Sequence, residues 1–267
     1  MSQITATFVR IIKEFLRDKV MVFWSIFFPI IWLIMANVVF LANAPESEAT
    51  PFRGAFTISM IVYAIMIAGM VDLPGNIAAD RNRGMLSKLK SMPVSQFKDF
   101  LGRILAFLVF SLIAIFAVLL IGILLGAKFS VTEIGLLQSI GYLLLSILSS
   151  SGIGLILATL VKGEQGAVYT GIGVALITSF TTGIFTTYSQ LIPVLQFFSR
   201  IYPISASNSS LIYILIGENM AGYNPLEPSQ ITLTTISSII LFIIGLTIYT
   251  RYCWRKTETT SKSLSFC

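Results

Sequence analysis

Six runs of apolar residues divide this chain, at roughly 20–41, 55–72, 104–126, 134–161, 166–187 and 230–250. As a helix of about 20 residues, each can cross about 30 Å of hydrocarbon, some with tilt. A helix satisfies its backbone N–H and C=O groups internally, which lipid demands. The runs are continuous, whereas the strands of a membrane β-barrel alternate, so the pattern argues for helices. The predicted fold is an all-α polytopic membrane protein. Residues 1–267 are read as a single transmembrane domain: a segment 1–19, a six-span bundle over 20–250 with a long loop at 73–103, and a cytoplasmic tail at 251–267. The first run is too long for a signal-peptide core and lacks a small-residue cleavage pattern after it, so it is expected to remain as a span.

Two stretches outside the runs have patterns of their own. In residues 4–19, Ile4, Phe8, Ile11, Ile12 and Phe15 recur at helical spacing, while Arg10, Lys13, Glu14 and Arg17 take the other face. This predicts an amphipathic N-terminal helix lying at the membrane interface. Between the fifth and sixth runs, segments 191–198 and 211–216 are apolar but too short to cross, and Pro193 and Pro203 punctuate them. They read as re-entrant or interfacial helices on the outer side.

Composition removes the soluble alternatives. The chain is 55% hydrophobic and 11% charged, against about 25% charged in soluble domains. Its formal charge of +6 is informative through its placement. Fifteen of the eighteen Lys and Arg residues fall in 1–19, 73–103, 162–165 and the tail, whereas Arg53, Lys128 and Arg200 stand singly in the other loops. The positive-inside rule then puts both termini in the cytoplasm of a multi-pass cell-membrane protein. The positive charge thus marks orientation and implies no nucleic-acid partner; a bacterial source is expected. There is no histidine, the commonest metal ligand and general base, and no metal site is expected. Cys253 and Cys267 sit at the end of a run and at the last residue, which does not suggest a disulfide framework.

Residues 80–95 carry the sharpest pattern: Asp80-Arg81-Asn82-Arg83-Gly84-Met85-Leu86-Ser87-Lys88-Leu89-Lys90-Ser91-Met92-Pro93-Val94-Ser95. Leu86 and Leu89 share one face of a short helix, with Gly84 able to start it and Pro93 to stop it. Such a helix suits docking into a partner's groove, although a charged inner loop that merely obeys the positive-inside rule would have a similar composition.

This stretch, followed by Leu101-Gly102-Arg103, resembles the signature of the membrane subunits of type-2 ABC exporters: acidic-Arg-acidic-x-Gly-Thr-Leu-x-x-Leu-x-x-x-Pro-Val/Leu-Ser, then Leu-Gly-Lys. Asn82, Met85 and Ser87 stand where that pattern usually has Glu, Thr and Glu, so this loop is less acidic. The opening Arg17-Asp18, Phe23-Trp24 and Phe28-Pro29, and the outer stretch before the last run, resemble the family too. The resemblance implies a cytoplasmic coupling helix seated in a separate ATP-binding subunit, contacted by Arg81, Arg83, Gly84, Leu86, Leu89, Lys90 and Pro93. It also implies a dimer with a second permease copy or a relative. ATP and Mg would be bound by the partner, since no Gly-x-x-x-x-Gly-Lys-Ser/Thr phosphate loop occurs here.

Candidate substrate contacts are few. Ser59, Tyr63, Met66 and Met70 lie within a stripe of about 60° at helical spacing, and Met surfaces adapt to varied apolar ligands. Thr170, Thr178 and Thr181 share a face of the fifth run. Family resemblance puts these two spans beside the dimer interface; ordinary small-residue packing would give the same pattern. Asp72 falls at the inner end of the second run, where cytoplasmic exposure makes a carboxylate cheap.

Scarcity of intramembrane charge favours an amphipathic or lipid-like substrate, such as an antibiotic, a peptide or a lipid-linked molecule. The polysaccharide-exporting branch ranks second, because the inner loop and the start of the first span look more like the drug and peptide branch. A channel or secondary transporter would need midplane ion sites or inverted repeats, and none is evident. With no histidine and no paired intramembrane carboxylates, no catalytic residue is assigned: the chain reads as a transporter component that is not itself an enzyme.

Overall fold

The computed structural model describes residues 2–42, 44–91 and 95–253, and for Leu86, Ser87, Lys90, Gln96, Tyr252 and Cys253 the backbone alone. Helix α1 (Gln3–Arg17) starts at Ser2, whose hydroxyl accepts the Thr5 N–H at 3.3 Å. It stops at Asp18, whose extended backbone makes a corner. The Asp18 carboxylate then accepts the N–H groups of Val20 and Met21 at 2.9 and 3.2 Å, capping the next helix, α2 (Lys19–Phe40). One aspartate thus ends an amphipathic helix and begins an apolar one.

Part of the α1 face expected on lipid is used inside the protein. Thr7, Ile11 and Phe15, spaced by four, are buried against α5 (Gln96–Leu124). The approach is close because α5 carries Gly102, where a Cβ would collide with Thr7.

Helix α3 (Glu46–Asn82) is the central element. Its most apolar stretch is 94% buried, against 22% for α2 and 17% for α11 (Pro228–Cys253). The two peripheral helices therefore turn most of their surface outward, as lipid-facing helices do. Between Asn82 and α5 runs α4 (Met85–Ser91); after α5 come α6 (Glu133–Leu160) and α7 (Glu164–Thr181). A one-turn 3₁₀ segment (Tyr188–Gln190) leads into three shorter helices, α8 (Pro193–Ile201), α9 (Pro203–Leu215) and α10 (Glu218–Ala221). Prolines open α8 and α9 at the first turn, where the missing N–H costs nothing. No strand occurs among the described residues.

Among the described residues five helices are long and apolar enough to span a membrane: α2, α3, α5, α6 and α11. The run at 166–187 behaves differently. Its helix, α7, has 18 residues and is not among the five. It ends where Gly183 takes a φ of 82° and where the Thr182 carbonyl accepts two hydroxyls, from Ser199 at 2.9 Å and Ser205 at 2.6 Å. The rest of the apolar run feeds the turn that leads to α8.

Asp72 is corrected. It is fully buried, because α3 continues ten residues past it with α6 and α7 packed along both π-helical and α-helical parts. Two π-turns face each other there, Phe23–Phe27 in α2 and Ala68–Asp72 in α3, and Ser25 on the first donates to Asp72 Oδ2 on the second at 2.5 Å.

Backbones meet where glycine permits it. A Cβ on Gly154 of α6 would overlap the Gly69 carbonyl of α3, and one on Gly171 of α7 would overlap that of Met70. Neither obstacle is a flexible side chain, so the helices themselves would have to part. Gly154→Ala is expected to destabilise by about 1–3 kcal/mol, as overpacking does. Gly141→Ala on the same helix meets open space and should gain up to about 1 kcal/mol from helix propensity. Unfolding of both variants in detergent tests this; equal midpoints would show that the α3–α6 crossing can relax.

Candidate functional site

The end of α3 shows how the chain presents α4. The Arg83 N–H donates to the Ala79 carbonyl at 2.9 Å and the Gly84 N–H to the Arg81 carbonyl at 3.0 Å, closing the helix. Gly84 then takes a φ of 67°, the left-handed conformation that glycine adopts without a Cβ penalty. The chain reverses and α4 begins at the next residue.

The residues expected on α4 and its approach divide into groups. Arg81 is spent within the chain: its guanidinium donates to the carbonyls of Ala158 at 3.0 Å and Val161 at 2.7 Å, closing the C-terminus of α6. Leu89 packs against the chain's own cluster of Leu73, Ile77, Phe100, Leu155 and Tyr249. Arg83 is exposed and lines an open cleft of about 450 Å³ together with Lys13, Arg17, Asp18 and Glu164. Gly84 has open space around its Cα. The Leu86 and Lys90 side chains and Pro93 lie outside the described residues, as do the Cys253 side chain and Cys267.

On the helices that flank α4 in the chain lies an ionic cluster that the pattern of runs did not reveal. Arg103 of α5, 1% exposed, donates to Asp99 at 2.9 Å, to Asn76 Oδ1 at 2.8 Å and to Asp80 at 2.5 Å. Asp80 of α3 also accepts both Nη groups of Arg10 from α1, each at 2.8 Å. Glu14 accepts from Asn76 at 2.7 Å and from Arg10 at 3.2 Å, and Asp99 accepts the Thr7 hydroxyl at 3.1 Å. Arg10 and Glu14 were expected on the solvent face of α1; they turn inward because buried carboxylates and guanidinium groups need partners. The cluster locks α1, α3 and α5 together on both flanks of α4, one helix ending at Asn82 and the other starting at Gln96. Its sequence traces are two: Asp80 and Arg103 stand at the two ends of the stretch that carries the resemblance, and Asn76 with Asp80, and Asp99 with Arg103, are each one turn apart.

The candidate substrate residues are mostly interior. Met66 and Met70 are fully buried, and Met66 sulfur lies 3.7 Å from Thr178 Oγ1 and 3.9 Å from the Tyr202 hydroxyl. The Tyr63 ring packs 4.9 Å from Phe185 and 5.6 Å from Phe28. The hydroxyls of Thr178 and Thr181 return to their own helix, at Val174 and Ile177 carbonyls, and Thr170 is exposed elsewhere on α7. Ser59 is the exception: it accepts from Asn208 of α9 at 3.2 Å and reaches a cavity. Asn208 also heads the triplet Asn208-Ser209-Ser210, a glycosylation pattern in sequence, but at 2% exposure it is closed to modification.

Arg10, Arg81, Arg103 and the turn at 162–163 share one end of the bundle, while Arg53, bonded to Glu46 and Asn37, lies at the other with the Lys128 backbone against Gly54. Among the described residues no group of three or more Cys, Asp or Glu side chains is placed to hold a metal ion.

No curated protein matches the chain significantly. The family model for the ABC-2 type transporter matches residues 2–216, taking in α1 through α9 and hence the ionic cluster and α4. With long membrane-spanning helices around a buried central one, and a match over most of its length, the chain belongs to the ABC-2 type transporter family, as a membrane permease component of an ABC transporter.

Proposed function

We propose that this chain is the permease subunit of an ATP-driven exporter and that α4 is its coupling helix. The observation that carries this reading is the mounting of α4. A seven-residue helix stands between two helices that a buried ionic cluster locks together, so a push on α4 reaches α3 and α5 as a unit. In this reading α7 is the fifth crossing of six, the end holding Arg10, Arg81 and Arg103 faces the cytoplasm, and both termini lie there. Two copies, or this chain and a relative, would pair and bind two ATPase subunits that hold ATP and Mg. The substrate is amphipathic or lipid-like, because ionisable groups inside the bundle are few: beside the Arg10–Asp80–Arg103–Asp99 cluster stands Asp72, held by the Ser25 hydroxyl.

A single cysteine tests it. With Cys253 and Cys267 changed to serine and Ser87→Cys introduced, a short bifunctional reagent in native membranes is expected to capture an ATP-binding subunit in stoichiometric yield. Absence of any ATPase among the captured proteins would remove the coupling reading and favour a channel or secondary transporter.

A further inference from the structure

The corner at Asp18 joins an amphipathic helix to an apolar span, the level at which lipid headgroups lie. Beside it opens the cleft of about 450 Å³, bounded by this corner, the end of α3 and the start of α7. Arg10, Lys13 and Arg17 are three and four residues apart along α1, so one face of that helix brings three cations to the cleft, and Arg83 adds a fourth from beyond α3.

The charges of the cleft are not balanced. Two of its carboxylates are engaged by the protein itself: Glu14 accepts from Asn76 and Arg10, and Asp18 accepts the Val20 and Met21 N–H groups. Arg10 is spent on Asp80 and Glu14. Lys13, Arg17 and Arg83 are exposed and take part in no ion pair among the described residues. Against these three stands Glu164, in the first turn of α7. Accessible cations around one opening suit a phosphate, whose oxygens accept several donors at once. Apolar surface adjoins them. Leu16, Val20, Phe23 and Phe27 recur every three or four residues through the turns that carry Arg17 and Met21, and each is 43–54% exposed. A soluble phosphate would use the cations and leave this flank bare, whereas a phospholipid uses both.

We propose that this cleft binds an anionic phospholipid, its phosphate received by Lys13, Arg17 and Arg83 and its acyl chains laid along the exposed flank of α2. The site stands apart from the coupling reading: binding here needs neither nucleotide nor an ATPase, and it is measured on the chain alone.

The full chain in a neutral detergent is titrated with dioleoylphosphatidylglycerol and, separately, with dioleoylphosphatidylcholine, which has the same phosphate and chains but no net charge. Native mass spectrometry counts the lipid retained. Phosphatidylglycerol should bind at one equivalent per chain and more tightly than phosphatidylcholine. Lys13→Gln, Arg17→Gln and Arg83→Gln should each weaken it about 5-fold, the worth of one basic side chain at a lipid surface, and the triple variant about 100-fold. Phosphatidylcholine should respond to none of them. Glu164→Gln should tighten phosphatidylglycerol by removing a like charge. Lys98→Gln, exposed at the same end of the bundle but outside the cleft, should change nothing. The substituted side chains are exposed, so thermal midpoints in lipid-free detergent should match the wild type. Added phosphatidylglycerol should raise the midpoint of the wild type and not that of the triple variant, since the bound phosphate ties α1 to the end of α3. Four results overturn the proposal: phosphatidylcholine binding as tightly as phosphatidylglycerol, a triple variant that keeps wild-type retention, a loss in Lys98→Gln equal to that in Arg17→Gln, which would mean a diffuse basic surface, or displacement of the lipid by an equal concentration of glycerol 3-phosphate, which would make the ligand a soluble phosphate.

Discussion

Replacing Arg103 with methionine is expected to lower the stability of the folded chain by about 3–5 kcal/mol. The side chain is 1% exposed and serves three acceptors on two helices: Asp99, Asn76 and Asp80. Methionine fills much of the volume, so the loss is dominated by charge. Asp99 would be left buried with only the Thr7 hydroxyl, while Asp80 would keep Arg10. That asymmetry gives the prediction an internal check. Arg103→Met combined with Asp99→Leu also removes the one orphaned charge and should recover most of the loss, since apolar replacements of buried pairs are often tolerated. Arg10→Met should cost less than Arg103→Met, because the Arg10 side chain in its pair is 24% exposed and Asp80 retains Arg103. Denaturant unfolding of the four proteins in one detergent reads the set. A loss below about 1 kcal/mol for Arg103→Met, the value of an exposed ion pair, would show that water reaches the cluster.

What the sequence discloses of this fold follows from how far a signal reaches along the chain. Apolar runs are local, and they mark α2, α3, α5, α6 and α11 well because lipid imposes a length. Helix ends are less visible. The helix around run 55–72 extends back to Glu46 and forward to Asn82, because polar residues can remain helical once α6 and α7 cover them. That extension is what buries Asp72. Residues 166–187 look like a uniform run, yet helix α7 stops at Thr181, since hydroxyls of Ser199 and Ser205 capture the Thr182 carbonyl from a later segment. The ionic cluster is the hardest feature to read: Arg10, Asn76, Asp80 and Arg103 meet only after three helices have packed. Arg81 and Leu89 illustrate the same limit from the other side. In a short amphipathic segment both look available to a partner, but the terminus of α6 takes one and the cluster around Tyr249 takes the other.

That division of labour sharpens the test of coupling. Leu86→Asp is expected to cut ATP-driven transport and ATPase capture by about 30-fold, the effect of losing an interface hot spot of about 2 kcal/mol. It should leave the thermal midpoint of the isolated chain unchanged. Leu89→Asp is expected to lower that midpoint, because it sets a carboxylate against Leu73, Ile77 and Phe100, and its loss of transport would follow from damage to the fold. Arg81→Ala should behave like Leu89→Asp, since it strips the Ala158 and Val161 carbonyls of their donor. Two readouts on each variant, unfolding in detergent and co-purification of the ATPase from membranes, separate docking from mounting. Should Leu86→Asp retain the ATPase at wild-type yield with normal transport, α4 does not seat in the partner through that leucine, and force would have to enter by another route; the exposed Arg83 in its open cleft beside Glu164 is the next surface to change. If Leu86→Asp instead loses the ATPase with its midpoint intact, the helix is a docking element held by the ionic cluster, and Arg103→Met should weaken capture in proportion to the order it removes in the helices that flank α4.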